Sequence, residues 1–198
     1  MNKLPIILLL SFLSSCAVGP LVNHETARTV GKDRHEVSGG YSNAGYVFKW
    51  NYGLFEKFDI GVHAEQYNLG LRAKYSFVKN DDNGFSMALA LGAGDSFGGN
   101  HYYGDLLGSF LTGRWEPYTT VRVVKVRTEE MNFSDEQTGA FAFRIDENHY
   151  SYGQYFLGTR FWASRQLFLS VEASTLFTLD AVEVSDNFIF SGALGYRF

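Results

Sequence analysis

Apolar and polar side chains alternate along most of this chain with a period of two. In "YVFKWNYGL", Tyr46, Phe48, Trp50 and Tyr52 fall on one parity and Lys49 and Asn51 on the other. In "FDIGVHAE", Phe58, Ile60, Val62 and Ala64 oppose Asp59, Gly61, His63 and Glu65. In "NLGLRAKYSFV", Leu69, Leu71, Ala73, Tyr75 and Phe77 oppose Gly70, Arg72, Lys74 and Ser76. A two-residue period is that of a strand, whose successive side chains point to opposite faces. The same pattern, broken by turn residues such as "KNDDNG" from Lys79 to Gly84, predicts strands over 35–42, 46–54, 57–65, 68–79, 84–94, 100–113, 116–128, 149–164, 167–178 and 187–198. The chain is therefore all-β, with about ten antiparallel strands and eight as the smaller alternative.

The links between strands sort by length. With odd strands running upward, the lower links near Leu54–Lys57, Lys79–Gly84, Gly113–Glu116 and Ser164–Leu167 are all short. The longer ones, Gly94–Asn100, Arg127–His149 and Thr178–Asn187, fall at the other end. Short turns at one end and long loops at the other predict an up-and-down transmembrane β-barrel over residues 35–198, with its long loops at the surface of a bacterial outer membrane. Composition agrees, since 17% aromatics and 21 Gly against 3 Pro suit long strands. A net charge of −4 without a Lys/Arg stripe excludes nucleic acid as a partner.

The period does not say which face is inside. In a membrane barrel the apolar face meets lipid; in a soluble lipocalin-like barrel it lines an apolar-ligand pocket. The final strand separates the two. Phe188, Phe190, Gly192, Leu194, Tyr196 and Phe198 alternate with Ile189, Ser191, Ala193, Gly195 and Arg197, and the chain ends on the aromatic. This resembles the C-terminal β-signal read by the bacterial barrel-assembly machinery. The resemblance implies that machinery as a partner and Phe190, Leu194, Tyr196 and Phe198 as the assembly signal. The Gly-x-Trp of lipocalins is absent, because Trp50 follows Phe48 and Lys49. Tyr46, Tyr52, Tyr102, Tyr103, Trp115, Tyr118, Tyr150, Tyr152, Trp162 and Tyr196 lie near strand ends, as an aromatic belt at headgroup level requires.

The start of the chain lies outside this pattern. "MNKLPIILLLSFLSSC" has a basic residue at Lys3, an apolar run from Leu4 to Leu13 and small residues before Cys16, which is the layout of a secretory signal over 1–15. Cys16 is the only cysteine, so no disulfide forms within one chain. "LSSC" resembles the lipobox of bacterial lipoproteins. That resemblance implies lipoprotein-processing enzymes as partners and a diacylglycerol and an acyl chain on Cys16, with no other cofactor. Ala17, in place of Asp, implies sorting to the outer membrane. Residues 16–34 carry Gly19, Pro20, Gly31 and mixed charge without a period, and read as a lipidated tether on the periplasmic side.

With the polar face inward, the lumen collects Lys49, Asp59, His63, Glu65, Arg72, Lys74, Arg122, Gln154, Arg160, Glu172 and Arg197. Basic residues outnumber acids in this set, so any open path favours anions. Paired charges otherwise form a polar core. The outer links carry Asp95, Glu129, Glu130, Asp135, Glu136, Asp146, Glu147, Asp180, Glu183 and Asp186 against Arg144, an acidic rim that meets lipopolysaccharide phosphates through divalent cations. "NHYSYG" sets His149 and Ser151 on one strand face and resembles the His-x-Ser element of lipid A deacylases. The match ends there: Tyr152 follows the Ser, and Glu172 falls on the opposite parity. No metal-ligand spacing or phosphate loop is present, and the expected role is structural or in surface interaction, with limited passage of small solutes, rather than catalysis.

Overall fold

The computed structural model describes residues 19–96, 98–129, 131–134, 142–145, 147–179 and 188–198. Ten strands close into an antiparallel barrel: β1 (His35–Ser42), β2 (Gly45–Phe55), β3 (Phe58–Glu65), β4 (Asn68–Val78), β5 (Gly84–Ser96), β6 (Gly99–Leu111), β7 (Trp115–Thr128), β10 (Asn148–Trp162), β11 (Leu167–Thr178) and β12 (Phe188–Arg197). Each strand pairs with the next in sequence, except that β7 pairs with β10 and β12 closes on β1. The intervening pair, β8 (Met131–Ser134) and β9 (Ala142–Ile145), forms a separate two-stranded sheet. The link from Arg127 to His149, read above as loop, thus contains a hairpin too short for the alternation to reveal.

The closing seam explains why a strand can end on an aromatic. Phe198 N–H donates to the His35 carbonyl at 2.9 Å and His35 N–H to the Phe198 carbonyl at 2.8 Å, and the two rings stack at 5.3 Å. Glu36 to Ser42 then pair with Arg197 to Ser191. Closure leaves the barrel without a free sheet edge, which a bilayer requires because its core offers no water to an unpaired backbone group.

Every barrel strand points apolar side chains outward. Tyr41, Phe48, Ile60, Leu71, Leu91, Leu106, Val123, Leu157, Val171 and Leu194 supply one from each, and Leu91 is 70% exposed. Charged residues of the same strands, such as Lys49, Asp59, Arg72 and Arg122, are buried inside. The lipocalin-like alternative fails on this parity, since the apolar face is the outside. Phe190, Leu194, Tyr196 and Phe198 all lie on it. An exterior of this kind is solvated by hydrocarbon rather than water. Leu91→Arg, in the middle of β5, should therefore cost about 2–4 kcal/mol in lipid vesicles, the usual effect of Arg at a bilayer midplane. Urea titration of the folded form checks it; a loss below that of Leu91→Ala would mean that this face does not meet lipid.

The aromatic belt needs correction. Tyr46, Tyr102, Trp115 and Tyr196 are exposed near strand ends, joined there by Phe55, Phe85, Phe110 and Phe188. Tyr103, Tyr118, Tyr152 and Trp162 are instead buried in the lumen, where a strand-end aromatic of the opposite parity must go.

Candidate functional site: the filled lumen

Nine polar residues expected in the lumen all project there: Lys49 from β2, Asp59 and Glu65 from β3, Arg72 and Lys74 from β4, Arg122 from β7, Arg160 from β10, Glu172 from β11 and Arg197 from β12. His63 and Gln154 join them. Three carboxylates were missed: Glu36, Asp105 and Glu116 are also buried inside. Glu116 shares the parity of Arg122 six residues later, a signal that could have found it. Asp105 sits on a face with Tyr103 and Leu107, so its strand reads as apolar on both sides. With these three acids the wall's charges balance, and the expected excess of basic residues disappears.

Wall pairs run around the barrel. Arg122 forks onto Asp105 at 2.6 and 2.9 Å, and Arg72 lies 3.6 Å from the same carboxylate. Glu36 takes Arg160 at 3.1 Å and Arg197 at 2.6 Å. Aromatics face the guanidinium planes: Arg122 lies over Tyr103 and Phe156, Arg160 over Phe168, and Arg197 over Trp162. Desolvated cation–π contacts of this kind contribute roughly 2 kcal/mol each.

The largest departure from expectation is the segment before β1. Eight strands leave a lumen that side chains just fill, and ten leave more room. Here the extra room holds residues 19–30, nearly all of them buried. The stretch read as a periplasmic tether is, from Gly19 to Val30, an irregular strap inside the barrel, bent at Ala27–Arg28 and with His24 at positive φ. Its backbone is satisfied by the wall rather than by a sheet partner, as backbone at membrane depth must be.

The pairing follows a rule: wall carboxylates accept the strap's N–H groups and wall cations donate to its carbonyls. Glu65 accepts from Leu21 and Val22 at 2.8 and 3.1 Å, Glu172 from Asn23 and His24 at 2.7 Å each, and Asp59 from Val30 at 3.0 Å. Arg122 donates to the Pro20 carbonyl at 2.7 Å, Arg160 to that of His24 at 2.9 Å, and Lys74 to that of Arg28 at 3.1 Å. Lys49 bonds the Val22 and Asn23 carbonyls, and Ser76 that of Ala27. The strap also contributes charge of its own. Glu25 lies 3.0 Å from both Arg72 and Lys74 and accepts from Asn51 at 2.9 Å. Arg28 forks onto Glu116 at 2.8 and 2.5 Å. Ala27 packs against Ala88, Ala90 and Leu107.

Direction matters as much as occupancy. Val30 reaches Asp59 and Thr29 reaches the Glu56 carbonyl, both at the end of the barrel with the short turns. Leu21 and Val22 are held by Glu65, the last residue of β3, at the end with the long loops. The strap therefore runs from loop end to turn end. It turns back through Gly31 and Asp33, both at positive φ, with Asp33 N–H on the Gly53 carbonyl and Gly53 N–H on that of Arg34, and then enters β1.

No family model and no curated protein matches this chain. Among solved structures, the NanC porin is similar over 83% of this chain and 98% of that one, at 11% identity and a TM-score of 0.50. The fold is that of outer-membrane β-barrels. The N-terminal β-barrel domain of Pseudomonas aeruginosa OprF covers 85% of this chain and 99% of that one at 12% identity and a TM-score of 0.44. Ail of Yersinia pestis covers 84% and 99% at 12% identity and a TM-score of 0.36.

The remaining candidates are not assembled. His149 and Ser151 lie near the loop end of β10, with His149 exposed and 3.2 Å from Glu147. Glu172 is inside the barrel under Asn23, His24 and Tyr118, on the far side of the wall from Ser151. Of the acidic rim, Asp95, Glu129 and Glu147 are described, and Glu147 pairs with Arg127 at 2.8 Å. The side chains of Glu130, Asp135, Glu136, Arg144, Asp146, Asp180, Glu183 and Asp186 lie outside the described residues, as does Cys16. Among the described residues, no group of His, Cys, Asp and Glu is placed to hold a metal ion.

Proposed function

We propose that this chain is a lipid-anchored barrel of the bacterial outer membrane that acts as a closed structural or surface-interaction element rather than as a pore. The observation that carries this reading is the strap: residues 19–30 fill the lumen, and wall charges hold their backbone at both ends and in the middle. A route for solutes would have to displace the strap and with it the hydrogen bonds and ion pairs that hold it to the wall. The outward apolar face supports membrane insertion, and the fold shared with a porin supports the outer membrane as its place. The outward alternation of Phe190, Leu194, Tyr196 and Phe198 supports delivery by the barrel-assembly machinery, and the "LSSC" sequence supports acylation of Cys16. Long loops face the cell exterior, where acidic side chains meet lipopolysaccharide through divalent cations.

Membrane extraction tests the reading. The Cys16→Ala chain, exported from a cleavable signal, should resist carbonate and urea and migrate differently before and after boiling. In planar bilayers the intact chain should give no channel steps. A folded, soluble periplasmic product would overturn the barrel's membrane placement, and steady conductance would overturn its closed state.

A further inference from the structure

The strap's direction decides where the N-terminus goes. We propose that the barrel carries its own N-terminus through the lumen and presents it at the loop end, so that the acyl chains on Cys16 enter the outer, cell-surface leaflet. This rests on the acylation proposed above. A tether on the periplasmic side would enter β1 from below without touching the lumen. Here the chain enters β1 from below only after descending from the loop end.

Three observations fix the path. Leu21 and Val22 are held at the rim by Glu65, and Gly19 packs beside Val124 and Tyr152, four residues from the loop ends of β7 and β10. Val30 and Thr29 are held at the turn end, so the intervening residues cross the full lumen. Between them Glu25, Ala27 and Arg28 occupy the interior, paired with or packed against buried wall side chains. Cys16 precedes Gly19 by three residues, a reach of about 10 Å at most, whereas the apolar band of such a barrel is about 25 Å tall. Cys16 therefore cannot regain the turn end.

The arrangement also constrains assembly. Acyl chains are too bulky to be drawn through a filled lumen, so the strap must be in place before β1 pairs with β12. The seam then closes around it through the Glu36–Arg197 to Ser42–Ser191 register.

Val18→Cys tests the path in the full chain. Acylation consumes the Cys16 sulfur, so the introduced thiol is the only free one. A membrane-impermeant maleimide should label it on intact cells to near completion, while Asp82→Cys, in the turn between β4 and β5, should label only after permeabilisation. A second variant with Gly-Ser-Cys-Gly-Ser inserted between Val18 and Gly19 lifts the thiol clear of the mouth and should label likewise. If both N-terminal thiols label only after permeabilisation, the threaded path is wrong. The mass of the N-terminal fragment reports acylation separately. A fragment without lipid but labelled on intact cells sinks the lipid anchor and leaves the path standing; an acylated fragment shielded on intact cells sinks the path and leaves the anchor.

Discussion

Deleting residues 19–30 should turn a silent barrel into a conducting one. The wall survives the deletion because its own pairs do not need the strap: Arg122 keeps Asp105, Lys74 keeps Asp59 at 3.5 Å, and Glu36 keeps Arg160 and Arg197. The ten-stranded ladder and its lipid-facing side are untouched, so the variant should still shift between boiled and unboiled forms. What changes is the lumen, which fills with water along a path from Glu65 to Asp59. Lys49, Arg72, Lys74, Arg122, Arg160 and Arg197 then face Glu36, Asp59, Glu65, Asp105, Glu116 and Glu172. With the signs balanced, the pore should be weakly selective, and its reversal potential in a salt gradient should lie near zero. The anion preference expected from the basic residues alone should be absent. Discrete steps in planar bilayers, missing from the intact chain, are the measurement. A folded deletion variant as silent as the parent would mean that wall side chains close the lumen by themselves and that the strap is an accessory.

The barrel was legible in the sequence because its two faces meet different solvents. In β2, β3 and β4 lipid outside and charge inside write a clean alternation, and the strand bounds agree to within a residue or two. Where the lumen itself is aromatic, the signal fails. Tyr103, Tyr118 and Trp162 pack against luminal arginines or a carboxylate, and Tyr152 lies in a luminal apolar cluster with Val22 and Val124, yet by composition they resemble belt residues. The strap was the least legible part. A segment whose backbone is held mainly by hydrogen-bonding wall groups needs no apolar stripe, so it shows no period, and a solvated tether shows none either. Its charges were the available clue: Glu25 and Arg28 find partners in a lumen whose apparent excess of cations called for an acid.

Glu25→Gln should be the most damaging single change in the strap. The Glu25 carboxylate neutralises Arg72 and Lys74, each 3.0 Å away, and all three side chains are almost completely buried. Gln keeps the shape and the bond from Asn51 but leaves Arg72 only the more distant Asp105 at 3.6 Å and Lys74 only Asp59 at 3.5 Å, and breaking a buried pair in this way costs about 3–5 kcal/mol. The same change at Glu147, which pairs with Arg127 on the exposed loop end, should cost at most about 1 kcal/mol, because solvent screens that pair. Urea unfolding of the barrel in lipid vesicles, followed by the gel shift, separates the two. Adding Lys74→Met to Glu25→Gln should recover part of the loss, since the second change removes one buried cation that has lost its nearer carboxylate, and the sum of the single effects should then exceed the double. Lys74 also holds the Thr26 and Arg28 carbonyls, so recovery should be incomplete. If Glu25→Gln proves no worse than Glu147→Gln, the carboxylate is not seated between its two cations, and the strap is not the element that completes the core.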